Sequence, residues 1–175
     1  HLTDLGYNFD MIKLLSNEPL KETFASYKFS GIPNGVPGAG NSGMPKKENN
    51  GFIGNLSGNR GASITFTIFA EEKGTAILSA AVTARRQGAR KFTNGFNTSL
   101  NGVEIVSDVI VPIGNSANEW TKSYQVTIGE IKLIEGENTL VFLVPLDSGD
   151  FDASNFDYIL ITSAFEVSCT SDWNW

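Results

Sequence analysis

Histidine and cysteine are nearly absent from this sequence, which has one of each among its 175 residues. The single histidine is His1, so neither a Ser-His-Asp triad nor a histidine metal site can be assembled. Cys169 has no second cysteine for an internal disulfide and no histidine to activate its thiol. Nucleophilic catalysis that depends on histidine is therefore excluded, and the fold must be stable without a disulfide.

Positive charge and long apolar runs are also scarce. The chain carries 13 Lys and Arg against 19 Asp and Glu, a net charge of −6. Its one small basic cluster, at Arg85, Arg86, Arg90 and Lys91, does not form the basic stripe that nucleic-acid binding needs. No run approaches the 18 apolar residues of a membrane-spanning helix. We expect neither nucleic acid nor a membrane as partner.

Short apolar runs separated by glycine-rich turns dominate the remainder, with 18 glycines in all. Residues 63–69 alternate polar and apolar with period 2, which is typical of a strand with one face in the core. Residues 139–144 are almost continuously apolar, which predicts a strand covered on both faces. Asn101-Gly102 is a strong hairpin signal. Further strands are predicted at 22–29, 52–54, 75–82, 97–100, 103–106, 109–112, 122–128 and 156–167. With no convincing helix, the pattern predicts an all-β jelly-roll β-sandwich of two antiparallel sheets.

The chain divides into one large unit and two short ends. Residues 1–20 form an N-terminal extension of unclear structure, 21–168 the β-sandwich, and 169–175 a C-terminal tail or the start of a linker. A long loop is predicted inside the sandwich at residues 30–51, and a polar loop at 85–95. A loop as long as the first is usually functional or disordered.

Acidic residues cluster in the loop before the last strand. Asp150 and Asp152 flank Phe151 and follow Gly149, a spacing of oxygen ligands that Ca²⁺ coordination favours. Together with Asp147 and Asp157 they could also supply the paired carboxylates of a glycosidase. Solvated surface charge is the third interpretation of the same cluster.

Sugar binding requires a flat aromatic ring beside amide or charged side chains. Trp120 follows a polar loop and opens a strand, so it is either a stacking ring or a core residue. Asn155 is either a sugar-binding amide or a turn cap. Arg90, beside Lys91, is a candidate contact for acidic sugars or ordinary surface charge. Phe92, like Phe96, is a candidate exposed ring, although core packing is expected for at least one of the two.

An ordered series of motifs resembles carbohydrate-binding modules of families 6 and 35, which have a galactose-binding-like jelly-roll fold. The motifs lie at residues 51–56, 61–66, 100–102, 118–124, 135–140 and 155–159, and the resemblance covers about residues 20–165. It implies a non-catalytic, extracellular module covalently linked to a glycoside hydrolase or related enzyme, with a polysaccharide such as that of the plant cell wall as partner. We expect the module to be a monomer.

The resemblance also implies roles for individual residues. Trp120 would be the stacking ring, Asn155 the amide that binds the sugar, and Asn50 would close the site. A structural calcium would be held by Asp157 and a glutamate near the N-terminus, for which Glu22 could substitute. Two departures from the family pattern are visible: residues 30–50 contain no aromatic residue, and Ser26 stands where the family has a glutamate ligand.

Three functions therefore compete. The first is a carbohydrate-binding module, the second a structural or adhesion module with the same fold and no sugar site, and the third a small glycosidase or lyase. An exposed Trp120 favours the first function, a buried Trp120 the second, and release of reducing sugar the third.

Overall fold

A computed structural model describes residues 25–29, 32–34, 46–47, 53–54, 56, 59–83, 90–112, 123–148 and 155–169. Of these, the side chains of residues 27–29, 32–34, 46–47, 90 and 123 are not described. In chain order the elements are β1 (Ala25–Phe29), β2 (Ile32–Asn34), β3 (Lys46–Lys47), β4 (Ile53–Gly54), β5 (Ser63–Ala70), β6 (Gly74–Thr83), β7 (Arg90–Lys91), α1 (Phe92–Gly95), β8 (Asn97–Leu100), β9 (Val103–Ile105), β10 (Ile110–Val111), β11 (Ser123–Leu133), β12 (Gly136–Leu143), β13 (Phe156–Ser163) and β14 (Val167–Cys169).

The strands form two antiparallel sheets and a small ribbon. The first sheet has the order β11-β6-β13-β4-β3, with β1 also paired to β13. The second has the order β14-β5-β12-β8-β9, with β2 also paired to β5. Strands β7 and β10 pair only with each other among the described residues. The predicted β-sandwich of two antiparallel sheets is confirmed.

The two sheets meet in a core of phenylalanine rings. Phe66 of β5 and Phe142 of β12 lie edge to face, with ring centroids 5.9 Å apart. Phe156, on β13 of the other sheet, lies 4.9 Å from Phe142. Such aromatic pairs contribute beyond the area they bury, by about 0.5–1.5 kcal/mol each. The ring cluster holds the two sheets together. It stabilises a chain that cannot form an internal disulfide.

The period-2 pattern of β5 is reproduced in its burial. Ile64, Phe66 and Ile68 are fully buried, while the residues between them are at least partly exposed. The hairpin predicted at Asn101-Gly102 is also present, because β8 pairs with β9 and Leu100 lies opposite Val103. Local patterns of this kind therefore identify both strands and turns correctly.

Three predictions about individual segments are wrong. The loop predicted at 30–51 contains β2 and β3, and the loop predicted at 85–95 contains β7 and the short helix α1. Strand β12 is not covered on both faces: Leu140 and Phe142 are buried, but Leu143 is 36% exposed. The outer face of β12 also carries apolar side chains. The sequence is therefore continuously apolar here, as it would be in a strand buried on both faces.

None of the helices in the part of the chain that the structure describes is long and apolar enough to span a membrane.

Candidate functional site

Three adjacent strands of the first sheet begin or end together at Thr83, the last residue of β6. Thr83 pairs with Ser123 at the start of β11, and Val82 pairs with Phe156 at the start of β13. Segments 84–89, 113–122 and 149–154 therefore all join the sheet here, at what we call the Thr83 end. Two of these segments, 84–89 and 113–122, run between this end and the ribbon of β7 and β10.

Asn155 is fixed to the Thr83 end through its main chain. Its N–H donates to Thr83 Oγ1 at 3.1 Å, and its carbonyl accepts from the Thr83 N–H at 2.9 Å. Thr83 is fully buried, whereas Asn155 is half-buried. The two main-chain bonds hold the residue in place without using its side-chain amide.

Asp157 lies at a break in the strand register. Phe156 is opposite Val82 and Tyr158 is opposite Ala81, so Asp157 is the extra residue of a β-bulge. Its side chain is half-buried. Bulges reorient a side chain at a strand end and are common beside binding sites.

Most of the other predicted site residues lie outside the described residues. These are Trp120 and Asn50 for sugar, and Glu22, Asp150 and Asp152 for calcium. Arg90 is described in its main chain alone: it pairs with Val111 in the β7–β10 ribbon. Among the described residues, the Thr83 end therefore brings together Asn155 and Asp157.

The prediction that Phe92 offers an exposed ring is wrong. Phe92 is only 1% exposed and lies 5.3 Å from Phe96 and 5.9 Å from Phe142, measured between ring centroids. Helix α1 turns the chain so that both Phe92 and Phe96 face the core. A sugar outside the protein cannot stack on either ring.

Lys91, next to Arg90, forms an ion pair with Asp108. The hydrogen bond from Lys91, followed by its positive charge, lowers the pKa of the Asp108 carboxyl from its ordinary value. Both side chains are exposed, so the pair contributes little to stability. It nevertheless orients Lys91 towards Asp108.

Glu22 lies outside the described residues, so the calcium ion predicted to be shared by Glu22 and Asp157 stays a prediction. Ala25, three residues after Glu22, pairs with Ser163. Ser163 is six residues along β13 from Asp157, a distance of about 20 Å at strand spacing. Ser26, in the position of the family's glutamate, instead shares a hydrogen bond with Thr162, 2.9 Å between hydroxyl oxygens. No group of three or more metal-binding side chains occurs within the described ranges.

The sequence interpretation missed Thr83. Its hydroxyl fixes Asn155 from 72 positions away along the chain. A threonine that ends an apolar strand just before a polar segment is a weak local signal for such a role. The contact becomes visible only when the register of β6 and β13 is known.

No family model matches the chain, and no curated protein matches it. Solved structures do. A family 35 carbohydrate-binding module from an environmental isolate is 20% identical, with a TM-score of 0.55 over 85% of this chain and 94% of that one. The chain has the fold of a family 35 carbohydrate-binding module.

Two further structures share this family 35 fold. A family 35 module described as "Xyl-CBM35", in complex with a disaccharide containing glucuronic acid, is 19% identical, with a TM-score of 0.54 over 83% of this chain and 96% of that one. A GH26-CBM35 β-(1,4)-mannanase from Podospora anserina is also 19% identical, with a TM-score of 0.52. That match covers 88% of this chain and 29% of the mannanase chain.

Proposed function

We propose that the chain is a non-catalytic carbohydrate-binding module that binds its sugar at the Thr83 end of the first sheet. The observation that carries the proposal is the family 35 fold, which spans nearly the whole length of the similar isolated modules. The Thr83 end adds a reason for the position of the site, because segments 84–89, 113–122 and 149–154 all connect to strand ends beside Asn155.

Chain geometry supports a joint role for Trp120 and Asn155. Trp120 precedes Ser123 by three residues, which span at most about 11 Å of chain. Ser123 pairs with Thr83, and Thr83 is hydrogen-bonded to Asn155. One short oligosaccharide can then stack on the indole of Trp120 and accept a hydrogen bond from the amide of Asn155.

The ligand class we propose is a plant cell-wall polysaccharide. One structure with this fold holds a disaccharide containing glucuronic acid, and another is part of a mannanase. Arg90, at the end of segment 84–89, would favour the acidic sugar. We further propose that the module is extracellular and targets a covalently linked glycoside hydrolase to that polysaccharide.

Titration with glucuronoxylan and with galactomannan oligosaccharides, followed by tryptophan fluorescence, tests the proposal. We expect a saturable change in the wild-type protein that is abolished by Trp120→Ala and weakened at least about tenfold by Asn155→Ala. Asn155→Ala preserves both main-chain bonds to Thr83, so its thermal midpoint should stay close to that of the wild type.

Control variants separate binding from stability. Trp173→Phe and Trp175→Phe remove the other two indoles, and each should bind as the wild type does. If no glycan changes the fluorescence and Trp120→Ala lowers stability by several kcal/mol, Trp120 is a core residue. That result would favour the structural or adhesion module. Release of reducing sugar by the purified protein would instead favour a glycosidase.

Calcium at Asp150, Asp152 and Asp157 remains a proposal, because carboxylates spaced closely along the chain are suitable ligands. Repeating the titration with EDTA tests it. A lower thermal midpoint or weaker binding in EDTA, reversed by added Ca²⁺, is the expected result. Identical curves with and without EDTA would contradict it.

A further inference from the structure

The outer edge of β11 carries no paired strand among the residues that the structure describes. This strand ends the first sheet, and β9 ends the second sheet on the same side of the sandwich. Between them lies an open groove of about 590 Å³, lined by residues that include Val103, Val106, Glu130, Lys132 and Ile134. An unpaired strand edge is a template for pairing with another chain.

The groove is bordered by apolar side chains that face solvent. Val103 is 70% exposed, Val106 is 76% exposed and Ile134 is 55% exposed. Isolated exposed apolar residues are ordinary, but neighbouring ones beside an open strand edge mark an interaction surface. The strand edge supplies the hydrogen bonds of such a surface and these side chains supply its apolar area.

The charges on the edge of β11 are complementary to those on the same edge of a second copy. Glu130 and Lys132 are both exposed and lie two residues apart, so they are on the same face of the strand. If two copies of β11 pair antiparallel about Ile131, Glu130 of each copy lies directly opposite Lys132 of the other. Two favourable cross-strand ion pairs result from one two-fold axis.

We propose that the chain forms a two-fold symmetric dimer by antiparallel pairing of β11 with β11 of a second copy. Residues 129–133 form the shared edge, and the exposed valines and Ile134 beside the groove are covered by the partner copy. The β-bulge between Thr127 and Gly129 limits the length of β11 that is available for pairing with the second copy. The proposed dimer differs from the monomer expected from the sequence and does not depend on the proposed sugar site.

Charge reversal tests this pairing by sedimentation equilibrium. Glu130→Lys places lysine opposite lysine, and Lys132→Glu places glutamate opposite glutamate. Each change should weaken the wild-type dimer at least about tenfold. The double variant Glu130→Lys/Lys132→Glu restores opposite charges and should dimerise like the wild type. An equimolar mixture of the two single variants should form a heterodimer that is stronger than the dimer of either variant alone.

Matched controls carry the same changes in net charge away from the edge. Glu137→Lys on β12 and Lys73→Glu in the turn before β6 alter exposed residues and should leave the dimer unchanged. Circular dichroism melting establishes that every variant is folded. A wild-type protein that stays monomeric at several hundred micromolar would overturn the proposal. So would a dimer that both single reversals leave intact.

Discussion

Asn138 is a fully buried polar residue whose side chain is completely satisfied. Its Oδ1 accepts from the Ile134 N–H at 2.9 Å and from Asn101 Nδ2 at 3.0 Å. Its Nδ2 donates to the carbonyls of Ile134 and Gly136 at 2.9 and 3.0 Å. The amide therefore holds the turn between β11 and β12 and connects it to the β8–β9 hairpin.

Removing this amide should be costly. Asn138→Ala leaves the Ile134 N–H and two carbonyls of a partly buried turn without their partner, and we expect a loss of about 2 kcal/mol in the free energy of unfolding. Urea denaturation followed by circular dichroism measures the loss. Asn94→Ala changes an exposed asparagine in α1 and should cost less than about 0.5 kcal/mol. Similar losses for the two variants would show that the network is unimportant.

The turn between β8 and β9 requires a backbone conformation that few residues adopt. Asn101 and Gly102 have φ angles of 52° and 78°, the positive values that a type I′ turn requires at both central residues. The N–H of Asn101 also donates to the Thr139 carbonyl at 2.8 Å, and its Oδ1 accepts from the Thr139 N–H at 2.8 Å. The turn thereby joins β12 as well as its own two strands.

Gly102→Ala isolates this conformational requirement, because an added methyl group would meet no atom within 4 Å. We expect a loss of about 1–2 kcal/mol from the positive φ alone, measured by urea denaturation. Gly102→Asn should lose less, since asparagine tolerates the left-handed region better than alanine does. If alanine and asparagine are equally tolerated, the turn does not constrain φ in solution.

The sequence predicts those elements whose signal is local. The alternation of β5 and the Asn101-Gly102 turn are properties of a few consecutive residues, and both predictions are confirmed. The burial of Phe92 and the one-sided exposure of β12 were mispredicted, because each depends on what packs against the element. A phenylalanine beside a polar segment looks the same whether it faces the core or a ligand.

The candidate site was predictable only in part for the same reason. Asn155 stands in a motif that resembles a known family, so its residue type and position drew attention. Its partner Thr83 is 72 residues away, and only the pairing of β6 with β13 brings them together. The register of β1 likewise separates Ala25 from Asp157, which no local pattern indicates.

At the scale of the whole molecule, the proposed sugar site and the proposed dimer edge lie at different places on the same strand. Strand β11 starts at Ser123, at the Thr83 end, and Ile131 is eight residues further on. At strand spacing this separates them by about 26 Å. Because the paired strands are antiparallel, the two Thr83 ends of a dimer point in opposite directions and are about 50 Å apart. The two sites of such a dimer would therefore bind two polysaccharide chains rather than neighbouring sugars of one chain.

The dimer should therefore cross-link a soluble polysaccharide that the module binds. Light scattering of the wild-type protein mixed with that polysaccharide should rise with protein concentration and fall again when excess oligosaccharide competes. Lys132→Glu should bind the oligosaccharide with unchanged affinity, because the substitution is distant from the Thr83 end, and yet cause little scattering. Avidity arises from two linked sites that bind at once, so it is lost when the dimer dissociates although the affinity of each site is unchanged.

Two further variants decide whether valency is the cause. Glu130→Lys/Lys132→Glu should recover the scattering together with the dimer, whereas Trp120→Ala should dimerise and cause none. If Lys132→Glu is monomeric and yet cross-links as strongly as the wild type, a single copy must hold two sugar sites. The dimer would then have no part in how the module organises polysaccharide, whatever its stability in solution.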